Sequence, residues 1–135
     1  MESYSPIHRP RRMRVNQAIR QMVQENFFSL NDLIHPIFIE EGIEEAIPLK
    51  TLPGVLRYPE SQLEAEVKEL AALGIKYIMP FGISHHKDEA GSDTWNDDGL
   101  LARMIRTIRQ AAPEMVIIPD ICFCEYTSHG HCGVL

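Results

Sequence analysis

Short apolar runs alternate with amphipathic helices along this chain, and few folds satisfy that order. Residues 60–73 read as a helix, because Leu63, Val67, Leu70 and Leu73 recur at i, i+4, i+7 and i+10 and form one stripe. Glu64 and Lys68 stand four apart on its polar side, and Gly74 occupies the position just beyond a helix end. Residues 100–111 give a second helix, with Leu101, Met104, Ile105 and Ile108 inward and Pro113 past its end. Between and around these helices lie runs rich in β-branched residues at 33–39 (LIHPIFI), 75–83 (IKYIMPFGI) and 115–119 (MVIIP). Pro36 lacks a ladder donor and counts against a central place for the first strand. Residues 40–59, with Pro48, Pro53-Gly54 and Pro59, have the punctuation of a hairpin excursion. Ahead of all this, residues 15–25 predict a short helix with Ile19, Met22 and Val23 on one face.

Strand, helix, strand, helix, strand is the order of parallel βαβ units, since each crossover helix must cover a sheet face. The expected fold class is therefore α/β, with about three parallel strands. Such a set leaves two open edges, and residues 115–118 carry no polar side chain to blunt one of them. A closed α/β barrel needs about 250 residues, roughly twice the present supply.

Charge divides the 135 residues unevenly. The net charge is −6, yet Arg9, Arg11, Arg12, Arg14 and Arg20 against Glu2 leave +4 in the first twenty residues, and so −10 in the rest. A basic arm on an acidic body suits docking against an acidic surface, another copy of the chain included; a solvated tail is the plain alternative. No aromatic or basic surface follows to continue a nucleic-acid footprint. No apolar run is long enough for a membrane span, and no apolar core follows the basic start to make a signal peptide. A cytoplasmic protein with neither nucleic acid nor membrane as partner is expected.

All three cysteines fall within the last fourteen residues, as Cys122-Phe123-Cys124 and then Cys132. An odd, clustered set in a chain without a secretion signal points to metal or redox chemistry rather than a disulfide framework. In extended chain Cys122 and Cys124 face the same way, and Gly130 is free to take the positive φ that returns Cys132 to them. Three thiolates suit Zn²⁺, and three protein ligands leave a fourth position for water or substrate, as in catalytic zinc sites. A closed structural site, with His129 or His131 as fourth ligand, fits the spacing as well. Three unligated thiols suit a core poorly beside Gly, His and Ser, and no C-x-x-C supports redox work. The cysteines follow a strand end, where α/β folds place their sites, and Asp120 at the same end is a candidate to orient a reacting group, a simple cap for the loop being the alternative. The acidic, His-bearing loop 84–98 reads as solvated charge, Trp95 as a packing anchor and His35 as a strand histidine.

The segments RPRRMR, SLNDLIHPIFIEEG, LPGVLRYPE, FGISHHKDEAGSDTW, DGLLARMIRTIRQAAPEM and DICFCEYTSHGHCGVL resemble, in order and spacing, the porphobilinogen synthase (5-aminolevulinate dehydratase) family over residues 8–135. The resemblance implies the N-terminal portion of a (β/α)8 TIM barrel: an arm, residues 1–14, that embraces a neighbouring subunit in a homo-octamer, then a partial barrel, 15–135, ending in the zinc loop. It implies a lyase that condenses two molecules of 5-aminolevulinate to porphobilinogen in haem and tetrapyrrole synthesis. It assigns the catalytic zinc to Cys122, Cys124 and Cys132 and a supporting active-site role to Asp120. Some relatives carry Asp-type residues in place of these cysteines and use magnesium; this chain resembles the zinc class, with an additional Mg²⁺ implied for the full-length family. The Schiff-base lysines of relatives lie downstream of the cysteine loop, and Lys50, Lys68, Lys76 and Lys87 match none of them. The expectation is a truncated chain, inactive alone. The alternative is a short zinc-binding module, or a non-catalytic partner that docks onto full-length subunits.

Overall fold

The structure, a computed structural model, describes residues 11–132. Residues 1–10, most of the expected arm, and 133–135 lie outside the described residues. Three α-helices, α1 (Gln17–Met22), α2 (Glu60–Ala72) and α3 (Leu100–Ala111), accompany five strands: β1 (His35–Glu40), β2 (Ile47–Pro48), β3 (Leu56–Pro59), β4 (Tyr77–Ile83) and β5 (Val116–Ile117). The strands form one sheet in the order β2-β3-β1-β4-β5, parallel throughout except for the β2–β3 pair.

Alternation within the strands decides which face is buried. Ile37 and Ile39 of β1 and Ile78 of β4 point to the helix side. There they meet Leu63, Val67 and Leu70 of α2 and Leu100, Met104 and Ile108 of α3 in a single core. The α3 stripe is rotated by one residue from the sequence expectation: Leu100 is fully buried, whereas Leu101 and Ile105 are half-buried. Leu73 leaves its stripe, 65% exposed, because α2 stops at Ala72. Gly74 takes φ +87° there, and the bonds Ile75 N–H to Leu70 O (3.0 Å) and Gly74 N–H to Ala71 O (3.0 Å) close the helix and turn the chain into β4. On the opposite face Phe38 and Phe81 stack at 5.0 Å, and with Met79 and Ile83 they are only half-buried.

Several expectations need correction. The excursion at 40–59 is a hairpin, but β3 also adds to the sheet in parallel with β1, a pairing invisible in the mixed sequence Leu56-Arg57-Tyr58. That pairing covers only Phe38 to Glu40, so Pro36 sits where β1 has β4 on one flank and no strand on the other, and its missing donor costs nothing in the ladder. Residues 33–34 lie outside β1 and are exposed. The third strand has two residues instead of five, although the bonds Ile118 N–H to Ile78 O (2.9 Å) and Asp120 N–H to Pro80 O (3.4 Å) keep the chain beside β4 as far as Asp120. The expected helix at 15–25 contracts to six residues, capped by Asn16 Oδ1 accepting from Ile19 N–H (2.9 Å), and Met22 and Val23 of its apolar face are exposed.

The carboxyl ends of the strands are held by one arginine. Arg103 of α3 donates through Nε to both Glu60 carboxylate oxygens (2.9 and 3.0 Å) and through Nη2 to Glu41 Oε1 (2.9 Å), tying the end of β1 to the first turn of α2. Burial pushes the Glu41 carboxyl up, but the His85 backbone N–H and the Arg103 guanidinium outweigh it and hold the group below its ordinary 4.5. Folded Glu41 therefore binds protons less readily than unfolded Glu41, and its contribution is full above pH 4.5 and lost as pH falls through the depressed folded value. Denaturant titrations across the acid range should show Arg103→Met flattening this part of the stability profile. In the core, Ile78→Ala should cost about 3 kcal/mol, whereas Leu73→Ala should stay within about 0.5 kcal/mol. Urea unfolding of the two variants checks the assignment of inside and outside.

Candidate metal centre

The chain leaves the side of β4 at Asp120 and makes one 3-10 turn, Phe123–Glu125, with Cys122 as its extended cap. Cys122 and Cys124 are thus gathered by a turn, and not by the extended backbone that the two-residue spacing predicts. Tyr126 and Thr127 are buried. Thr127 Oγ1–H donates to His131 O (2.9 Å) and Gly130 N–H to Thr127 O (3.3 Å), folding residues 127–131 back on themselves. Gly130 takes φ +72°, as the sequence anticipates, and Cys132 returns to the other two thiols.

Cys132 Sγ lies 3.5 Å from Cys122 Sγ and 3.3 Å from Cys124 Sγ, and all three sulfurs fall within 4.8 Å of one another. Tetrahedral zinc with Zn–S bonds near 2.3 Å separates its sulfurs by about 3.8 Å, so the donor set fits a single ion with little adjustment. Among the described residues no His, Asp or Glu joins this group. His129 is committed elsewhere: Nε2 pairs with Glu89 O (3.2 Å) and Nδ1 accepts from His131 N–H (3.3 Å). The donor group the geometry brings together is therefore the three thiols.

The thiols perturb one another. Hydrogen bonding to Cys122, and then to Cys132, pushes Cys124 up to about 12. Cys132 is lowered, chiefly because Cys124 and then Cys122 donate to its sulfur. Asp120 is half-buried two residues ahead of Cys122. Its charge reaches Tyr126, whose hydroxyl is raised to about 12, first by burial and then by Asp93, Asp120 and Glu125.

The loop 84–98 is more structured than solvated charge. Asp93 is buried and its Oδ2 accepts from Leu100 N–H (3.4 Å) at the start of α3. Asp88 Oδ1 accepts from the N–H groups of Ala90 and Ser92 (both 3.0 Å), closing a turn through Gly91 at φ +68°. A carboxylate followed by Gly and Ser within four residues is a readable turn signal, and the acid count of the loop hides it. Trp95 is 62% exposed, a correction to its reading as an anchor, although its ring tilts against Phe123 at a centroid distance of 6.4 Å. His35 is half-buried in β1, and burial lowers it while Glu66 partly offsets the shift.

A largely parallel α/β sheet with three thiols gathered beyond the carboxyl end of a strand, placed so that they could hold one metal ion, defines the class: an α/β protein with a candidate metal centre. A family profile described as delta-aminolevulinic acid dehydratase matches residues 7–135, and the chain belongs to that family. It is 55% identical over 129 residues to the delta-aminolevulinic acid dehydratase of Escherichia coli, covering 96% of this chain and 40% of that protein. To the dehydratase of Ruminiclostridium josui it is 42% identical, covering 96% and 63% respectively. The crystal structure of the Toxoplasma gondii delta-aminolevulinic acid dehydratase (porphobilinogen synthase), in complex with the reaction product porphobilinogen, superposes with a TM-score of 0.81 at 37% identity, covering 98% of this chain and 38% of that one. The chain thus spans about 40% of the length of most of these relatives.

In the metal-free chain the depressed, exposed Cys132 should be alkylated by iodoacetamide before Cys122 or Cys124 at neutral pH, because the thiolate is the nucleophile. Peptide mapping after brief labelling reads the order directly.

Proposed function

We propose that this chain carries the metal-binding portion of a porphobilinogen synthase, the lyase that condenses two molecules of 5-aminolevulinate to porphobilinogen on the way to haem and other tetrapyrroles. The observation that carries the reading is the convergence of Cys122, Cys124 and Cys132 at the end of a parallel strand, within a family whose solved member is bound to that product. The three thiolates would hold Zn²⁺, which supplies Lewis-acid character toward a substrate carbonyl or amine at its open fourth position. Asp120, half-buried two residues ahead of Cys122, would orient a reacting group, and Tyr126 is buried beneath the loop. The half-buried sheet face carrying Phe38 and Phe81 is read as the interior wall of a partial (β/α)8 barrel spanning residues 15–135, with residues 1–14 as its arm. In the described part near that arm, Met22, Phe27 and Phe28 are each more than three-quarters exposed, which suits contact with another copy of the chain in a homo-oligomer. The reading places the protein in the cytoplasm and leaves room for a further Mg²⁺ in the assembled enzyme.

The second substrate would be activated by a desolvated lysine, and Lys50, Lys68, Lys76 and Lys87 are all exposed. Lys68 pairs with Glu64, and Lys76 Nζ donates to Asn31 Oδ1 (3.0 Å). Those observations favour, as second reading, a short zinc-binding piece that contributes to or docks on full-length subunits. No lysine among these four is expected to form the imine, so treating the chain with 5-aminolevulinate and borohydride should leave its mass unchanged; a reduced adduct on any of them would show the opposite.

Metal analysis tests the centre itself. The chain should bind one Zn²⁺ and release protons as it does so, since the ligands must be thiolates. Loss of a supporting partner alone costs metal sites about 10- to 100-fold, so Cys132→Ser should lose more than that. Undiminished zinc affinity in this variant would remove the three-cysteine assignment.

A further inference from the structure

One segment outside the cysteine loop touches it at Phe123 and again at residues 126–129. Asp88 forms a parallel bridge with Thr127: Asp88 N–H donates to Tyr126 O (3.3 Å) and Ser128 N–H donates to Asp88 O (2.9 Å). One residue on, Glu89 O meets the His129 ring. Two further on, Gly91 lies so close that a Cβ there would stand 3.3 Å from both Phe123 Cδ1 and Thr127 Cγ2. Residues 88–91 are therefore a template against which both halves of the metal loop are laid, the turn bearing Cys124 and the return that delivers Cys132.

The template is itself held by a side chain. The Asp88 carboxylate gathers the Ala90 and Ser92 N–H groups on Oδ1 and the Ser92 hydroxyl on Oδ2, and this closure sets the positive-φ turn at Gly91. Asp88 contributes no atom to the three-sulfur group, and it touches the thiols only through the backbone it positions.

We infer that Asp88 is a positioning residue for the metal centre, its carboxylate fixing the 88–91 turn that sets the Cys124–Cys132 separation. This rests on the zinc reading proposed above. The position of the sulfurs, and not merely the persistence of the fold, depends on this carboxylate, because the core of α2, α3 and the sheet lies elsewhere.

The test compares the purified chain with Asp88→Ala and Asp88→Asn. Zn²⁺ affinity is measured by competition with a chromophoric chelator, and Co²⁺ is added as a probe whose thiolate charge-transfer absorption reports the sulfur geometry. Thermal unfolding of each metal-free protein is followed in parallel. Asp88→Ala should weaken Zn²⁺ binding about 10- to 100-fold and alter the Co²⁺ absorption, with the metal-free unfolding midpoint near that of the parent. Asp88→Asn keeps an oxygen for both backbone N–H groups and should recover most of the affinity. Unchanged affinity in Asp88→Ala overturns the inference, as does a loss that Asp88→Asn fails to rescue or that merely follows a lower unfolding midpoint. A parent chain that binds no Zn²⁺ defeats the metal reading itself, and the inference with it, whereas a parent that binds through Cys132 while Asp88→Ala binds equally well defeats the inference alone.

Discussion

The seam between the sheet and its two helices is the constraint on which everything else here depends. Ile37, Ile39 and Ile78 present one face of two adjacent parallel strands, β1 and β4, and Leu63, Val67, Leu70, Leu100, Met104 and Ile108 cover it. Most of these side chains are removed from water almost completely, and each contributes about 1.5–3 kcal/mol relative to exposure. No other cluster of comparable size exists among the described residues. The direction of the strands, and hence the end at which the thiols emerge, is set by this layer before any polar contact acts.

Polar contacts then refine the carboxyl ends of the strands. Arg103 reaches from α3 to Glu60 of α2 and Glu41 after β1, so a single guanidinium spans three elements with charge-assisted bonds. Asp93 anchors the start of α3 from the neighbouring loop. The same loop carries Asp88 and Gly91, so the segment that begins α3 also supports the cysteine turn. Rigid elements below and a braced loop above are what a metal centre needs, because a ligand set is useful only when its members stay within a few tenths of an ångström.

Much of this arrangement was legible in the sequence where periodicity ruled. Helices α2 and α3, the Gly74 stop and the positive φ at Gly130 follow from local rules, although Leu73 falls off the α2 stripe and the α3 stripe turns to bury Leu100. The grouping of the three cysteines was legible as well, though its means was not: spacing suggested extended chain and the structure uses a 3-10 turn. What escaped was set by partners distant in sequence. β3 pairs with β1 on the strength of backbone bonds that Leu56-Arg57-Tyr58 does not advertise, and Trp95, large and apolar, lies mostly in solvent. Asp88 and Asp93 were hidden by their company, since an acidic loop reads as solvated charge until two of its carboxylates are seen to hold backbone N–H groups.

Loop entropy explains why the cysteine segment needs so much support. Bringing Cys132 back to Cys122 closes ten residues, at a cost on the order of 2 kcal/mol for a flexible chain. Three neutral thiols in contact return little of that, and as thiolates they repel one another until a cation joins them. The bonds from Thr127 to His131, Gly130 to Thr127, and Asp88 to residues 126 and 128 each contribute about 1 kcal/mol net, which together offset the closure. Those bonds, within the loop and from residues 88–91, oppose its opening whether or not an ion is held. The larger their share of the closure cost, the more of a metal's binding free energy goes into affinity instead of into folding the loop.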